Sequence, residues 1–315
     1  MAVSTIDVTT VALPGLAWDI AADIYFPADF DASKTYPVIV SAHPTGSCRA
    51  QTSGNVYGKA LAEAGFVAVA FDASFQGDSG GEPRFTEDPG FRVSDFSYVI
   101  DYLVTQPYVD ADRIGVLAIC GGAGYAVAAT MIDRRIKALT TVAGSNVGRL
   151  MREGFSNYDP MAMLEAVAAQ RTAEARGAAG MVNDLLPPSV EFAKENGLTD
   201  IDVLEATEYY KTERGAAQNG RTSFFFTRQA PLALWDAYDR VETFLTQPLL
   251  VVIGDKPGAF ASNRLGMELY GRAASKDKQL VVVEGASHYD LYDQSEPTAK
   301  ALEAAVPFFR THLAA

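Results

Sequence analysis

The chain predicts an α/β fold, a mostly parallel eight-stranded sheet with helices on both faces and an inserted helical cap. Three observations lead there. Short apolar runs alternate with helical stretches through most of the 315 residues, the signature of parallel strands joined by helical crossovers. One such run, Arg113 to Ile119, passes at once into a small-residue turn and an alanine-rich helical stretch. Between Gly144 and about Arg240 the apolar strand runs stop and helical stretches take over.

Taken in order, two N-terminal strands around 6–12 and 18–26 pair antiparallel. Strand 37–42 leads to helix 55–64, stopped by Gly65, and strand 66–71 leads to helix 93–105. Strand 113–119, helix 123–133 and strand 136–142 follow, and after the interruption strand 248–253, helix 262–274, strand 279–283 and helix 297–312. Within the interruption, Asp159-Pro160 places a capping residue before a proline at the first helical position, and the helix it starts ends near Gly177. Further helices run over about 189–196 and 200–214, ending at Gly197 and Gly215. The expected organisation is a core of residues 1–145 and 241–315 with a helical cap over 146–240. The cap carries Phe155, Tyr158, Tyr209, Tyr210, Phe224, Phe225, Phe226 and Trp235. These aromatics are expected to pack the cap and its seam, with some facing a cleft that suits a hydrophobic acyl or aromatic group better than a sugar or peptide.

A net charge of −13 argues against nucleic-acid and anionic-membrane partners, which would repel the chain. The start, Met1 to Asp7, has no basic segment followed by an apolar stretch, and no apolar run approaches the ~18 residues of a membrane span. With two cysteines and no visible export signal, the expected residence is a reduced cytoplasm. No zinc-type spacing and no cofactor motif is found, so neither metal nor cofactor is expected. Oligomerisation is left open.

Cys120 ends the run Arg113-Ile114-Gly115-Val116-Leu117-Ala118-Ile119 and is followed by Gly121-Gly122-Ala123-Gly124. Strand, sharp turn and helix make a nucleophile elbow, in which small neighbours let the turn close and the helix aims its N-terminus at the site. Ala118 stands where glycine is usual, and cysteine where serine is usual. A phosphate-binding turn is the rival, but neither G-x-G-x-x-G nor a P-loop pattern can be laid over 115–125.

A cysteine nucleophile needs a base, and the chain has three histidines. His312 lies near the end of a polar helix, and His43 ends strand 37–42, where an oxyanion loop begins. His288 follows an apolar strand and a small-residue turn, later in the chain than Cys120, as the elbow order requires. The acid should follow the preceding strand, which selects Asp255 after Gly254, with Asp290, Asp236 and Asp239 as competitors. In such loops the acid more often stands three residues after the glycine, and here that position is Pro257.

The runs Phe71 to Arg84, Asp88-Pro89, Arg92-Val93, Asp110 to Gly124 and Gly285 to Asp293 resemble the cysteine-bearing α/β-hydrolases, a dienelactone-hydrolase-like or X-prolyl-peptidase-like group close to fungal polyketide transferases. The resemblance covers about 30–150 and 245–310. It implies the α/β-hydrolase fold, Cys120 as nucleophile, His288 as base, and an oxyanion donor from the loop after His43. Dienelactone hydrolase itself carries a glutamate near this loop, whereas His43-Pro44-Thr45-Gly46-Ser47 has no carboxylate.

The mechanism expected from these placements is acyl transfer. His288 takes the thiol proton, or the pair rests as thiolate and imidazolium because the helix after Cys120 lowers the thiol pKa. The sulfur attacks an acyl carbon, and the amides of Gly121 and Thr45 hold the oxyanion. Three readings stand at this stage: a hydrolase of a hydrophobic carboxylic ester or thioester, an acyltransferase passing the acyl group to an alcohol, and a non-catalytic binding protein. The second cysteine, Cys48, three residues past Thr45 in the oxyanion loop, is expected to be a small loop residue pointing elsewhere, with a reversible disulfide to Cys120 as the alternative.

Overall fold

The computed structural model describes residues 6–153 and 159–314. The main sheet contains β1 (Asp7–Pro14), β2 (Asp19–Phe26), β3 (Tyr36–Ala42), β4 (Val67–Phe71), β5 (Val109–Ile119) and β6 (Ile136–Val142). A small two-stranded sheet pairs β7 (Val182–Asp184) with β8 (Ser223–Phe225), and β9 (Leu249–Gly254) and β10 (Lys278–Val283) complete the main sheet. Its order is β1-β2-β4-β3-β5-β6-β9-β10, with the β1–β2 and β2–β4 pairs antiparallel and the remaining pairs parallel. This is the α/β-hydrolase fold.

Strands covered on both faces should be apolar throughout, and β4 (VAVAF) and β9 (LLVVIG) are buried at every residue. Alternate side chains feed two cores: Val38, Val40, Val67 and Val69 point to one, Ile39, Ala68 and Ala70 to the other. Helices α1 (Lys59–Glu63), α2 (Pro89–Leu103) and α3 (Gly121–Ile132) follow β3, β4 and β5. Phe96 of α2 and Tyr125 of α3 cover the first face, and Leu61 of α1 covers the second.

The helix expected at 55–64 begins instead as a π-helical turn, Thr52–Gly58. The helix expected at 93–105 starts earlier, because Asp88 caps it through Gly90 and Phe91 amides with Pro89 in the first turn.

From β3 the chain crosses to β4 on one side, then passes β3 again to reach β5 on the other. The loops leaving β3 and β5 therefore part at the C-terminal edge of the sheet, the switch point where α/β folds open a crevice. Over that edge stand α4 (Val147–Glu153), α5 (Pro160–Ala175), α6 (Val190–Glu195), α7 (Ile201–Lys211) and α8 (Ala230–Leu234). The interruption is thus not purely helical: three-residue β7 and β8 are too short to leave a strand-length apolar run. Helices α9 (Val241–Phe244), α10 (Ser262–Arg272), α11 (Asp290–Asp293) and α12 (Ser295–His312) complete the chain. Among the described residues no helix is long and apolar enough to cross a membrane, and no cluster of three His, Cys, Asp or Glu is placed to hold a metal.

Candidate active site

Cys120 sits between β5 and α3 with φ 52° and ψ −127°, a backbone conformation that costs a non-glycine residue about 1–3 kcal/mol and persists only where the surroundings impose it. Here its N–H donates to Val142, and its carbonyl accepts from the amides of Ala123 and Ser145. A Cβ on Gly122 would fall 2.4 Å from the His43 carbonyl, so the oxyanion loop can approach only because residue 122 has no side chain.

The thiol is buried, and burial raises its pKa. The neighbouring hydroxyl of Tyr292, amide of Gly121 and hydroxyl of Ser145 pull the other way, while the nearby Asp202 carboxyl adds to the rise. Desolvation prevails over the α3 N-terminus, which corrects the expected lowering of the thiol pKa.

His288 lies in the turn between β10 and α11, 2% exposed, among the rings of Phe260, Tyr289 and Tyr292. Burial pushes its pKa down to about 3, so the resting imidazole is neutral. Its Nε2 lies 3.3 Å from the Tyr292 hydroxyl, which also stands near enough to the Cys120 thiol to lower the thiol's pKa. The Tyr292 hydroxyl is thus a neighbour of both thiol and imidazole.

The structure does not bring Asp255 to His288. Asp255 is exposed, and its Oδ1 accepts the Gly285 amide at 2.8 Å, tying the end of β9 to the turn after β10. The competitors are also engaged elsewhere. Asp290 accepts from the Ser287 amide and pairs with Lys256, Asp236 accepts from Asn146, and Asp239 pairs with Arg240. Nδ1 of His288 is buried with no hydrogen-bond partner. An orphan of this kind costs about 1–3 kcal/mol.

The loop after β3 carries Thr45 against the elbow: a Cβ on Gly121 would lie 1.9 Å from Thr45 Oγ1. The Thr45 amide donates to no group among the described residues, leaving it open to a ligand. His43 fixes the root of this loop. Its Nδ1–H donates to the Pro44 carbonyl, and its Nε2 accepts from the Ala73 amide at 3.0 Å and from Arg92 at 3.1 Å. Burial and Arg92 hold its pKa well below the usual histidine range, so His43 is a neutral structural residue. His312 is half-buried against Phe308, 3.5 Å from Asp277. Cys48 is buried and free, its pKa pushed up to about 12 by burial and Asp72.

A cavity of about 110 Å³ opens on Cys120, Gly121 and Thr45. Val147, Leu150, Leu186 and Phe224 line it, with the tyrosines 210, 289 and 292, and no charged side chain lines it among the described residues. Of the aromatics noted in the interruption, Tyr210 and Phe224 face the cavity. Tyr209 packs on Tyr289 and Tyr292, and Trp235 stacks on Tyr125 at 4.8 Å. Phe155 and Tyr158 lie outside the described residues. Sequence reasoning missed Ser145, Tyr292 and Asp202. Tyr292 had a signal, standing four residues after His288 in a helical turn. Asp202 had none, because α7 is far from the rest of the site in the chain.

The chain matches the model of the X-Pro dipeptidyl-peptidase (S15) family over residues 17–185, more than half its length. It is 42% identical over 300 residues to the protein YcjY of Escherichia coli K12, covering 93% of this chain and 94% of that one. The crystal structure of the Pseudomonas aeruginosa protein PA2218 superposes with a TM-score of 0.88 at 28% identity, over 98% of this chain and 94% of that one. Over 290 residues the chain is 24% identical to the acyltransferase drtE of Aspergillus calidoustus, covering 89% of this chain and 88% of that protein. With the eight-stranded sheet and its elbow, these matches make the chain a member of the X-Pro dipeptidyl-peptidase (S15) family of α/β-hydrolases.

Proposed function

We propose that the protein cleaves a carboxylic ester or thioester of a small hydrophobic acyl group through a Cys120 acyl-enzyme, with His288 as base. The observation that carries this reading is the strained Cys120 lining an uncharged cavity together with Gly121 and Thr45, the second of which has an unpaired amide among the described residues. A pocket without a carboxylate is poorly suited to the free amino group of an X-Pro dipeptide, which would enter as a buried, unpaired cation.

The thiol proton passes through the Tyr292 hydroxyl to Nε2 of His288, and the thiolate attacks the acyl carbon. Burial holds the Tyr292 pKa well above its ordinary value, so the phenol relays the proton without resting as an anion. The Gly121 and Thr45 amides hold the oxyanion. Protonated His288 gives its proton to the leaving alcohol or thiol as the C–O or C–S bond breaks. Water, deprotonated by His288, then attacks the thioester, releases the acid and restores the thiol.

A second reading, transfer of the acyl group to an alcohol, shares every step but the last. The likeness to an acyltransferase over most of the chain favours it. Intact-protein mass after incubation with nitrophenyl esters and acyl thioesters, with and without an added alcohol, tests both. An acyl adduct absent from Cys120→Ala is expected; free acid as product means hydrolysis, and a new ester means transfer. No adduct and no turnover on any ester or thioester would overturn the reading in favour of a binding protein.

A further inference from the structure

We propose that Asp202, on the cap helix α7, orients His288, so that the sheet supplies nucleophile and base while the cap supplies the acid. Asp202 is 1% exposed. Its Oδ2 accepts the Phe260 amide at 2.8 Å, but its Oδ1 is buried with no partner. Nδ1 of His288 is the complementary orphan, a ring nitrogen able to donate. Phe260 joins the two, because its amide holds Asp202 while its ring stands edge-on to His288 at 5.5 Å.

The loop after β9 is where chain order places the acid, and it offers only the exposed Asp255 and then Pro257. The next residue is Gly258, and a Cβ built there would lie 2.2 Å from Cγ of Asp202. The carboxyl from α7 thus fills the space into which a side chain from that loop would project. Asp200, two residues earlier, accepts from the Ala259 amide and holds the same loop.

A donation from Nδ1–H to Oδ1 would satisfy both orphans and leave the Nε2 lone pair facing Tyr292 and Cys120. Asp200 and Glu205 on its own helix and Cys120 and Tyr289 across the site feel the Asp202 charge. Burial, with Asp200 and Glu205, raises its pKa to about 7, so its ionisation falls near neutrality. The site is then complete only with the cap in place.

The proposal rests on Cys120 and His288 being the reacting pair, and Cys120→Ala is therefore measured alongside. Ester hydrolysis is followed against pH in wild type, Asp202→Asn, Asp202→Ala and Asp202→Ala/Gly258→Asp. Asp202→Asn retains an acceptor for the Phe260 amide, so it carries the test if the alanine variant fails to fold. We expect a loss in kcat of about 100-fold or more with KM within about threefold. The acidic limb near pH 7 should vanish, and Gly258→Asp should restore about tenfold or more of what Asp202→Ala removes. Wild-type kcat in Asp202→Asn, or an unmoved acidic limb, overturns the role of Asp202. An inactive Cys120→Ala beside a fully active Asp202→Asn removes Asp202 alone, whereas an active Cys120→Ala removes the nucleophile and this proposal with it.

Discussion

On the sheet side of the site, Cys120 is clamped by three backbone hydrogen bonds at the buried C-terminal ends of β5 and β6 and the start of α3. The region over the sheet edge is uneven: the sixteen residues of α5 bury only Val167, whereas α7 packs Tyr209 and Tyr210 into the core and polar contacts add to the seam. Arg214 bonds Asp293 and the Tyr289 carbonyl, Asp200 and Asp202 take the Ala259 and Phe260 amides, and Thr222 donates to Gly46. The rigid half can hold the strained backbone of Cys120. The other half, with a helix as exposed as α5, can open locally at lower cost beside a cavity of about 110 Å³.

The largest effect should come from the rigid half. Cys120→Ala is expected to lose activity by about 10⁴-fold or more while melting at nearly the wild-type temperature, since the elbow keeps its backbone bonds. Retained turnover, measured with the nitrophenyl ester, would mean that the strained cysteine is not the nucleophile.

Tyr292→Phe comes next. Removing the hydroxyl that neighbours thiol and imidazole should lower kcat by about 100-fold or more, the size of a lost proton-transfer partner. A wild-type rate would show that His288 reaches the thiol directly in the substrate complex.

Because burial holds the Cys120 thiol up, its alkylation should keep rising with pH, about tenfold per unit, through the neutral and mildly alkaline range. Iodoacetamide kinetics followed by mass would check this, and a rate flat from about pH 6 would reveal a resting thiolate instead.

Loosening the cap should do less. Arg214→Ala leaves Asp293 and the Tyr289 carbonyl short of a donor, for a loss of about 1–3 kcal/mol and a few degrees in Tm. It should also raise relative kcat/KM for longer acyl esters, and an unchanged chain-length profile would argue against a moving cap. Asp255→Asn should do least, within about twofold in kcat/KM, since its side chain serves only the Gly285 amide. A large loss would return the acid to the loop after β9.

The elements that the residues announced are those governed by their neighbours in the chain. Two-faced burial makes β4 and β9 apolar runs, and the elbow needs a strand, small residues and a helix in succession, so both are visible in a string of residues. The Asp88-Pro89 start of α2 was equally local and carried the same signal as Asp159-Pro160. Three features were decided only when the chain folded. Burial overrode the helix terminus in setting the Cys120 pKa, because desolvation depends on what covers the thiol. His288 was recognisable by chain order, but its partners were not: Asp255 turned outward to Gly285, and Tyr292 came beside both imidazole and thiol. Asp202 reached the site from α7, more than fifty residues before the loop it fills, and spacing along the chain carries no trace of a carboxyl brought in by the packing of one region on another.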